Sequence, residues 1–260
     1  MSSSLRRQQF IQQRLESKES VLVADLALEL EVSEMTVRRD LRELERMGLA
    51  RRTHGGAVRE VSRSYEPPFE LRMQDHHHEK VRIAAEAVRY VHEGDTIAID
   101  TGTTAVEFAR QLVDFQSLTI VTPSLHIAQL FLHHPSIKVI LSGGEMRKQE
   151  GSLVGDFTRT FFENLYFDTF FLSSACLDVE AGITEFIMED ASIKRLIISH
   201  AKKTIALMAS SKFNLTALSK VCSLDDIDVL VTDQKPGDDL RKILLHNGVE
   251  IRLAQQEGDE

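Results

Sequence analysis

The sequence has no tryptophan, two cysteines and five prolines in 260 residues. Two isolated cysteines, Cys176 and Cys222, are too few for a disulfide framework and suit a reducing cytosol, where they read as small core residues. Scarce proline and only 13 glycines exclude collagen-like, mucin-like and low-complexity chains. No apolar run approaches the roughly 18 residues of a membrane helix. The start has Arg6 and Arg7 but no apolar stretch after them, so it is not a secretory signal. A cytoplasmic chain that does not touch membrane is expected. Also missing are the G-x-S-x-G, phosphate-loop and H-E-x-x-H patterns, and with them those hydrolase chemistries.

Apolar residues make up 42% of the chain, enough for a real core. The length fits one small domain and one larger one. The net charge of −9 argues at first against nucleic acid, but the charge is unevenly spread. Residues 1–63 hold 12 Lys and Arg against 10 Asp and Glu, a balance of +2; the remainder holds 19 against 30, or −11. Basic residues cluster between Arg38 and Arg52, and a local basic face is what phosphates respond to.

The first 57 residues read as short helices. Phe10, Ile11 and Leu15 mark one apolar face. Val23, Leu26, Ala27 and Leu30 follow the helical spacing of a second. After a turn at Glu31-Val32-Ser33, Ser33 is a good N-cap and Glu34 suits the positive helix end. Val37, Leu41 and Leu44 give the third helix its inner face, and Gly48 is placed to stop it. Residues 49–58 fit two extended pieces around a tight turn, the wing of a winged helix. Residues 59–78 read as a linker, with Pro67-Pro68 as a spacer. Its His76-His77-His78 run lacks the spacing of a metal site and reads as solvated chain.

The third helix carries the polar residues Glu34 and Thr36 at its N-terminal end, then Arg38, Arg39 and Arg42. The first turn of such a helix, Ser33 to Thr36 with Met35, is the part that reaches base edges in the major groove. Arginine pairs bidentately with guanine or binds phosphate. The alternative is a solvated face on which Asp40, Glu43 and Glu45 neutralise the arginines. Glycine at Gly55-Gly56 lets a wing approach a DNA backbone closely, beside Arg52, Thr53 and His54.

From Lys80 onward, apolar strand-like runs alternate with helical stretches. The strands read as Thr96–Asp100, Leu118–Thr122, Ile137–Leu141, Asp168–Leu172, Thr204–Met208, Asp228–Val231 and Val249–Leu253. This alternation predicts a mostly parallel sheet covered by helices. The run Asp100-Thr101-Gly102-Thr103-Thr104 ends the first strand and opens a helix, whose free N–H groups make an anion site. An ordinary turn capped by Thr103 or Thr104 fits the same residues. Ser142-Gly143-Gly144-Glu145-Met146-Arg147 follows the third strand, where Arg147 is positioned to neutralise phosphate. Ser210-Ser211-Lys212 follows the fifth.

The stretch VSEMTVRRDLRELERMGLARRTHGGA resembles the N-terminal signature of DeoR-type bacterial transcription regulators, nearly gap-free over residues 5–58. DTGTT, LTIVTPSL, LSGGEMR, Ser152 with Gly155, and SSKF resemble landmarks of that family's C-terminal domain. The resemblance implies a winged helix-turn-helix over residues 1–58 and an α/β sensing and oligomerisation domain over 79–260, similar to ribose-phosphate isomerases and coenzyme A transferases. It implies DNA contacts from Thr36, Arg38, Arg39 and Arg52 to Gly56. It implies phosphate contacts from Gly102, Thr103 and Thr104, and ligand contacts from Asp100, Gly143, Gly144 and Lys212. The sequence departs from the family at Ala209, usually an aspartate, at Ser173–Asp178, usually glycine-rich, and at Glu185 with Phe186, after Gly182. Glu185 thereby joins the candidate ligand residues, and these departures point to an effector other than the common hexose or pentose phosphates.

Together these residues predict a ligand-responsive regulator, by analogy a repressor of a carbohydrate operon. It would bind double-stranded operator DNA as a dimer or tetramer, without cofactor or metal, under control of a phosphorylated sugar or related metabolite. The competing readings are a sugar-phosphate isomerase with a DNA-binding module, using Asp100, Glu145 or Glu185 as base, and a constitutive architectural DNA-binding protein.

Overall fold

The computed structural model describes residues 3–18, 20–59 and 63–255. The chain divides into two compact units, Met1–Pro67 and Pro68–Glu260.

The first unit runs α1 (Ser3–Lys18), β1 (Ser20–Leu22), α2 (Val23–Glu29), α3 (Glu34–Arg46), β2 (Ala50–Arg52) and β3 (Gly56–Arg59). Its core is Ile11, Leu15, Val23, Leu26, Val37, Leu41, Leu44, Ala50 and Ala57. Ser33 caps α3 by accepting from the Thr36 N–H at 3.2 Å. Gly48, at φ 65°, ends it in a Schellman arrangement, with Leu49 N–H on Leu44 O and Gly48 N–H on Glu45 O, both 2.9 Å. The three strands pair antiparallel in the order β1-β3-β2, so the wing hairpin is closed on its far side by a strand between the first two helices.

The second unit opens with α4 (Phe69–Gln74) and α5 (His77–Ala87). Here the expected linker is corrected. Residues 68–78 are not spacer: Phe69 and Leu71 are buried in α4, and His76 precedes α5, which His77 and His78 begin while staying exposed to solvent. There follow β4 (Thr96–Ile99), α6 (Thr103–Arg110), β5 (Thr119–Thr122), α7 (Leu125–Leu130), β6 (Lys138–Leu141), the hairpin β7 (Glu145–Arg147) and β8 (Ser152–Val154), α8 (Asp156–Phe162) and β9 (Phe167–Leu172). Then come β10 (Cys176–Asp178), β11 (Gly182–Glu185), α9 (Met188–His200), β12 (Ala201–Leu207), β13 (Ser219–Cys222), β14 (Val229–Thr232), α10 (Asp238–His246) and β15 (Glu250–Leu253).

Seven of these strands form one parallel sheet in the order β15-β14-β12-β9-β4-β5-β6, and all seven coincide with runs expected from sequence. Both faces are buried. Ile97, Ile99 and Phe171 face α5 and α6, while Ala98, Phe170 and Leu172 face a second core with Ile193, Ile197 and Leu240. A sheet covered on both sides explains why its strands read as continuous apolar runs. The β7–β8 hairpin and the small antiparallel sheet β10-β11-β13 were not anticipated; their strands are three or four residues long.

From β4 the chain winds outward to β5 and β6, then returns to the other side of β4 as β9 and winds the opposite way. Neighbouring strands whose connections diverge leave a crevice at their carboxyl ends, the usual ligand position in open α/β sheets. Asp100 follows β4 directly, and Ser173-Ser174 follow β9.

Candidate nucleic-acid interface and candidate ligand site

On α3, each acid available to neutralise the arginines is committed elsewhere or accounted for. Asp40 is buried and accepts from Arg7 of α1 at 2.7 Å. Glu43 pairs with Arg46, Glu45 with Arg52 at 2.7 Å, and Glu34 with Arg38 at 3.1 Å. Arg39 and Arg42 are exposed, and among the described residues no carboxylate lies within ion-pair distance of either. Neutralisation by Asp40, Glu43 or Glu45 therefore does not apply to these two, which stand solvent-exposed. Met35 and Glu34 project beside them at the start of the helix.

The wing needs one correction. Gly55 is exposed at the tip with Arg52, Thr53 and His54, but Gly56 is buried. A Cβ there would sit 1.8 Å from Val21 O, so Gly56 is glycine because β3 packs on β1, not because DNA approaches it.

In the second unit the Ser173-Ser174 corner gathers four of the anticipated residues. Asp100 Oδ2 accepts from Ser173 N at 2.9 Å, and a Cβ on Gly102 would stand 3.3 Å from Ser173 Oγ. Ser174 Oγ lies 3.1 Å from Glu185 Oε2, and Lys212 Nζ donates to Ser174 O at 2.6 Å. At their centre is a residue the sequence reading passed over, Lys194 of α9. Its ammonium donates to Glu185 Oε2 (2.6 Å), Ser173 O (2.6 Å) and Asp100 Oδ2 (3.0 Å), so all three of its donors are used. All three charged groups are buried.

Burial pushes Asp100 up to about 6, against the pull of Lys194. Glu185 is also pushed up by burial, but Lys194 and the Phe186 N–H outweigh it and hold the carboxyl below its usual range. The reverse holds for Lys194: burial opposes its charge, and Asp100, Glu185 and Asp190 more than restore it. Lys212 is pulled down to about 8 by burial and by the Arg72 charge. An anion beside it would reverse that pull.

The start of α6 supplies the donors. Its N-cap is Gly102, at φ 98° and ψ 168°, which offers no capping side chain. The turn capped by Thr103 or Thr104 is thus not what forms. The first backbone N–H groups of a helix have no intrahelical acceptor, and Thr104 Oγ1 is buried with no hydrogen-bond partner among the described residues.

Three anticipated residues stand apart from this corner. Gly143 and Gly144 follow β6, with β5 between them and β4. Gly144 is glycine for packing, since a Cβ would lie 2.1 Å from Thr158 Oγ1. Arg147 forms an ion pair with Asp190 in the first turn of α9, so it braces the β7–β8 hairpin and its charge is already compensated.

Residues 7–63 match the model of the DeoR-like helix-turn-helix domain, and residues 75–234 match that of the DeoR C terminal sensor domain. The chain belongs to the DeoR family. DeoR-family relatives align along nearly its whole length. HTH-type transcriptional regulator GolR of Listeria innocua is 32% identical over 96% of this chain and 98% of its own. The putative aga operon transcriptional repressor of Escherichia coli O157:H7 is 32% identical over 97% and 94%. The glycerol-3-phosphate regulon repressor of Escherichia coli is 30% identical over 90% and 92%. Ribose 5-phosphate isomerase A of Methanocaldococcus jannaschii overlaps 54% of the chain at 16% identity with a TM-score of 0.41, too slight an overlap to speak to chemistry. This DeoR-family chain is a DNA-binding transcriptional regulator with a mixed α/β sensor unit. No helix among its described residues is long and apolar enough to cross a membrane.

Lys194 left a signal in the sequence. Lys194 lies three residues after Ala191 and three before Ile197 on the inner side of α9, and a lysine between apolar residues at that spacing marks a buried charge.

Proposed function

We propose that the chain is a repressor whose DNA affinity is set by a small phosphorylated metabolite bound between the start of α6 and Lys212. The observation that carries this reading is the uncapped α6 N-terminus at the β4/β9 divergence, next to a half-buried Lys212 that, among the described residues, makes no hydrogen bond to a carboxylate. The phosphate belongs at Gly102, Thr103 and Thr104, with Lys212 as counter-charge. Asp100 and Glu185, fixed by Lys194, present their remaining lone pairs as acceptors for hydroxyl groups. The effector is then a phosphorylated polyol or sugar, in keeping with relatives named for the aga operon and the glycerol-3-phosphate regulon. Ser33 to Thr36, Arg38, Arg39, Arg42 and the Arg52–Gly55 wing read the operator. One recognition helix covers one half-site, so the working unit is a dimer or tetramer in the cytoplasm, without cofactor.

Catalysis is not part of this reading. An isomerase needs a carboxylate free to take a proton. Asp100 and Glu185 are locked onto Lys194, and Glu145 is exposed on β7.

The test is fluorescence anisotropy on duplex from the protein's own upstream region, at fixed salt with competitor DNA, across a panel of phosphorylated sugars and polyols. One compound shifting the specific affinity supports the reading; turnover of such a compound refutes it. Arg39→Ala is expected to weaken specific binding by about 1–3 kcal/mol.

A further inference from the structure

The outward stripe of α3 opens on an apolar residue. Val37, Leu41 and Leu44 fix the inward face of this helix. Met35, Arg39, Arg42 and Arg46 recur at spacings of four, three and four on the opposite face, and all four are exposed. Met35 is 67% exposed and is the one uncharged member of the row. A lone apolar side chain on a surface means little. One that heads a row of three arginines on the DNA-reading helix has a defined set of neighbours.

The other side chains of the first turn are occupied within the protein. Ser33 Oγ accepts from the Thr36 N–H at 3.2 Å and lies 3.0 Å from Thr36 Oγ1, so both hydroxyls serve the cap. Glu34 Oε2 accepts from Arg38 Nη2 at 3.1 Å. Met35 offers the groove only methylene, thioether and methyl groups. Arg39 follows one turn later, and Arg42 lies about 10 Å from Met35 along the axis at 1.5 Å per residue. With the first turn seated at the base edges, Arg42 is thereby nearer the phosphates.

Among the four bases, thymine alone projects an apolar group into the major groove, its C5-methyl. The others present donors and acceptors that an apolar side chain would leave unpaired. We propose that Met35 is a specificity-determining residue that packs on the C5-methyl of a thymine in each operator half-site, beside the base or phosphate taken by Arg39. The inference rests on the reading of α3 as the base-contacting helix.

Uracil interference tests it. The full chain selects its binding sites from random-sequence duplex at fixed salt. The selected duplex is remade with one thymine at a time replaced by deoxyuridine, which deletes the methyl and leaves base pairing intact. Wild-type affinity is expected to fall about fourfold at one thymine of each half-site, the worth of one buried methyl group. Met35→Ala, a surface change that leaves the core of α3 intact, is expected to bind the unsubstituted duplex about fourfold more weakly than wild type and to be indifferent to uracil at that position. Met35→Leu is expected to keep the sensitivity, and Arg39→Ala, weaker on every duplex, to keep it too. A wild type indifferent to every uracil, or a Met35→Ala protein still sensitive at the same thymine, overturns the proposal. If Arg39→Ala loses specific affinity in that case, α3 still reads the operator through its arginines. Selection of no consensus sequence at all overturns both readings.

Discussion

Lys194→Met is the most informative single change in the sensor unit. Methionine matches the length of the lysine stem but removes the one cation between Asp100 and Glu185, whose side chains it meets at 3.0 and 2.6 Å. Deleting one partner of a buried ion pair costs about 3–5 kcal/mol, because an uncompensated charge stays behind. For a unit of this size that is a fall of roughly 6–20 °C in melting temperature, at about 2–4 °C per kcal/mol. The larger unit's own transition is the one to follow by calorimetry, since a two-unit chain need not melt in one step. The loss carries a pH signature. Without Lys194 both folded carboxyls rise above their unfolded values of about 4, so the penalty grows as pH rises through the window between unfolded and folded values. The variant is then closer to wild type at pH 5 than at pH 8. Adding Asp100→Asn and Glu185→Gln to Lys194→Met removes the stranded charges and recovers most of the stability. A loss below about 1 kcal/mol at pH 8, or an equal loss at both pH values, refutes the triad as the organiser of the site.

Ser33→Ala removes the α3 cap and is expected to cost about 1 kcal/mol, lowering the melting temperature of the smaller unit by roughly 4–8 °C in the same calorimetric scan. Gly102→Ala forces a side chain into a backbone region that only glycine occupies readily; about 1–3 kcal/mol of strain is expected, with loss of effector response in the anisotropy assay. Lys212 sits at about 8 in the free protein, and a bound anion raises it, so binding takes up a proton. Anion affinity, measured by calorimetry above pH 7 where phosphate monoesters are fully dianionic, is expected to fall as pH rises through 8. Flat affinity across that range removes Lys212 from the site.

What was legible in the sequence follows from how each feature is encoded. The sheet strands announce themselves because burial on both faces favours short apolar runs, such as Ile97–Ile99, Phe170–Leu172 and Val229–Val231, a signal confined to a few consecutive positions. The α3 cap and its Schellman stop are equally local, a serine and a glycine at fixed offsets from one helix. Glycine is harder, because the letter gives its freedom without its reason: Gly102 serves a backbone angle, while Gly56 and Gly144 serve close packing against Val21 and Thr158.

The ligand corner was legible only in its parts. Asp100, Gly102, Glu185 and Lys212 stand out as strand-end residues, but what joins them is the register of β4 beside β9 and the placing of one α9 side chain beneath both. Residue types at 100, 173, 185 and 194 share no spacing rule, so no pattern search brings them together. The same holds for Arg72, which falls in the stretch read as linker: Phe69, Leu71 and Met73 hint at packing there, but nothing local shows that the Arg72 carbonyl meets Lys80. Once Phe69 and Leu71 are buried, α4 belongs to the sensor unit, and the boundary between sensing and DNA binding moves to Pro67.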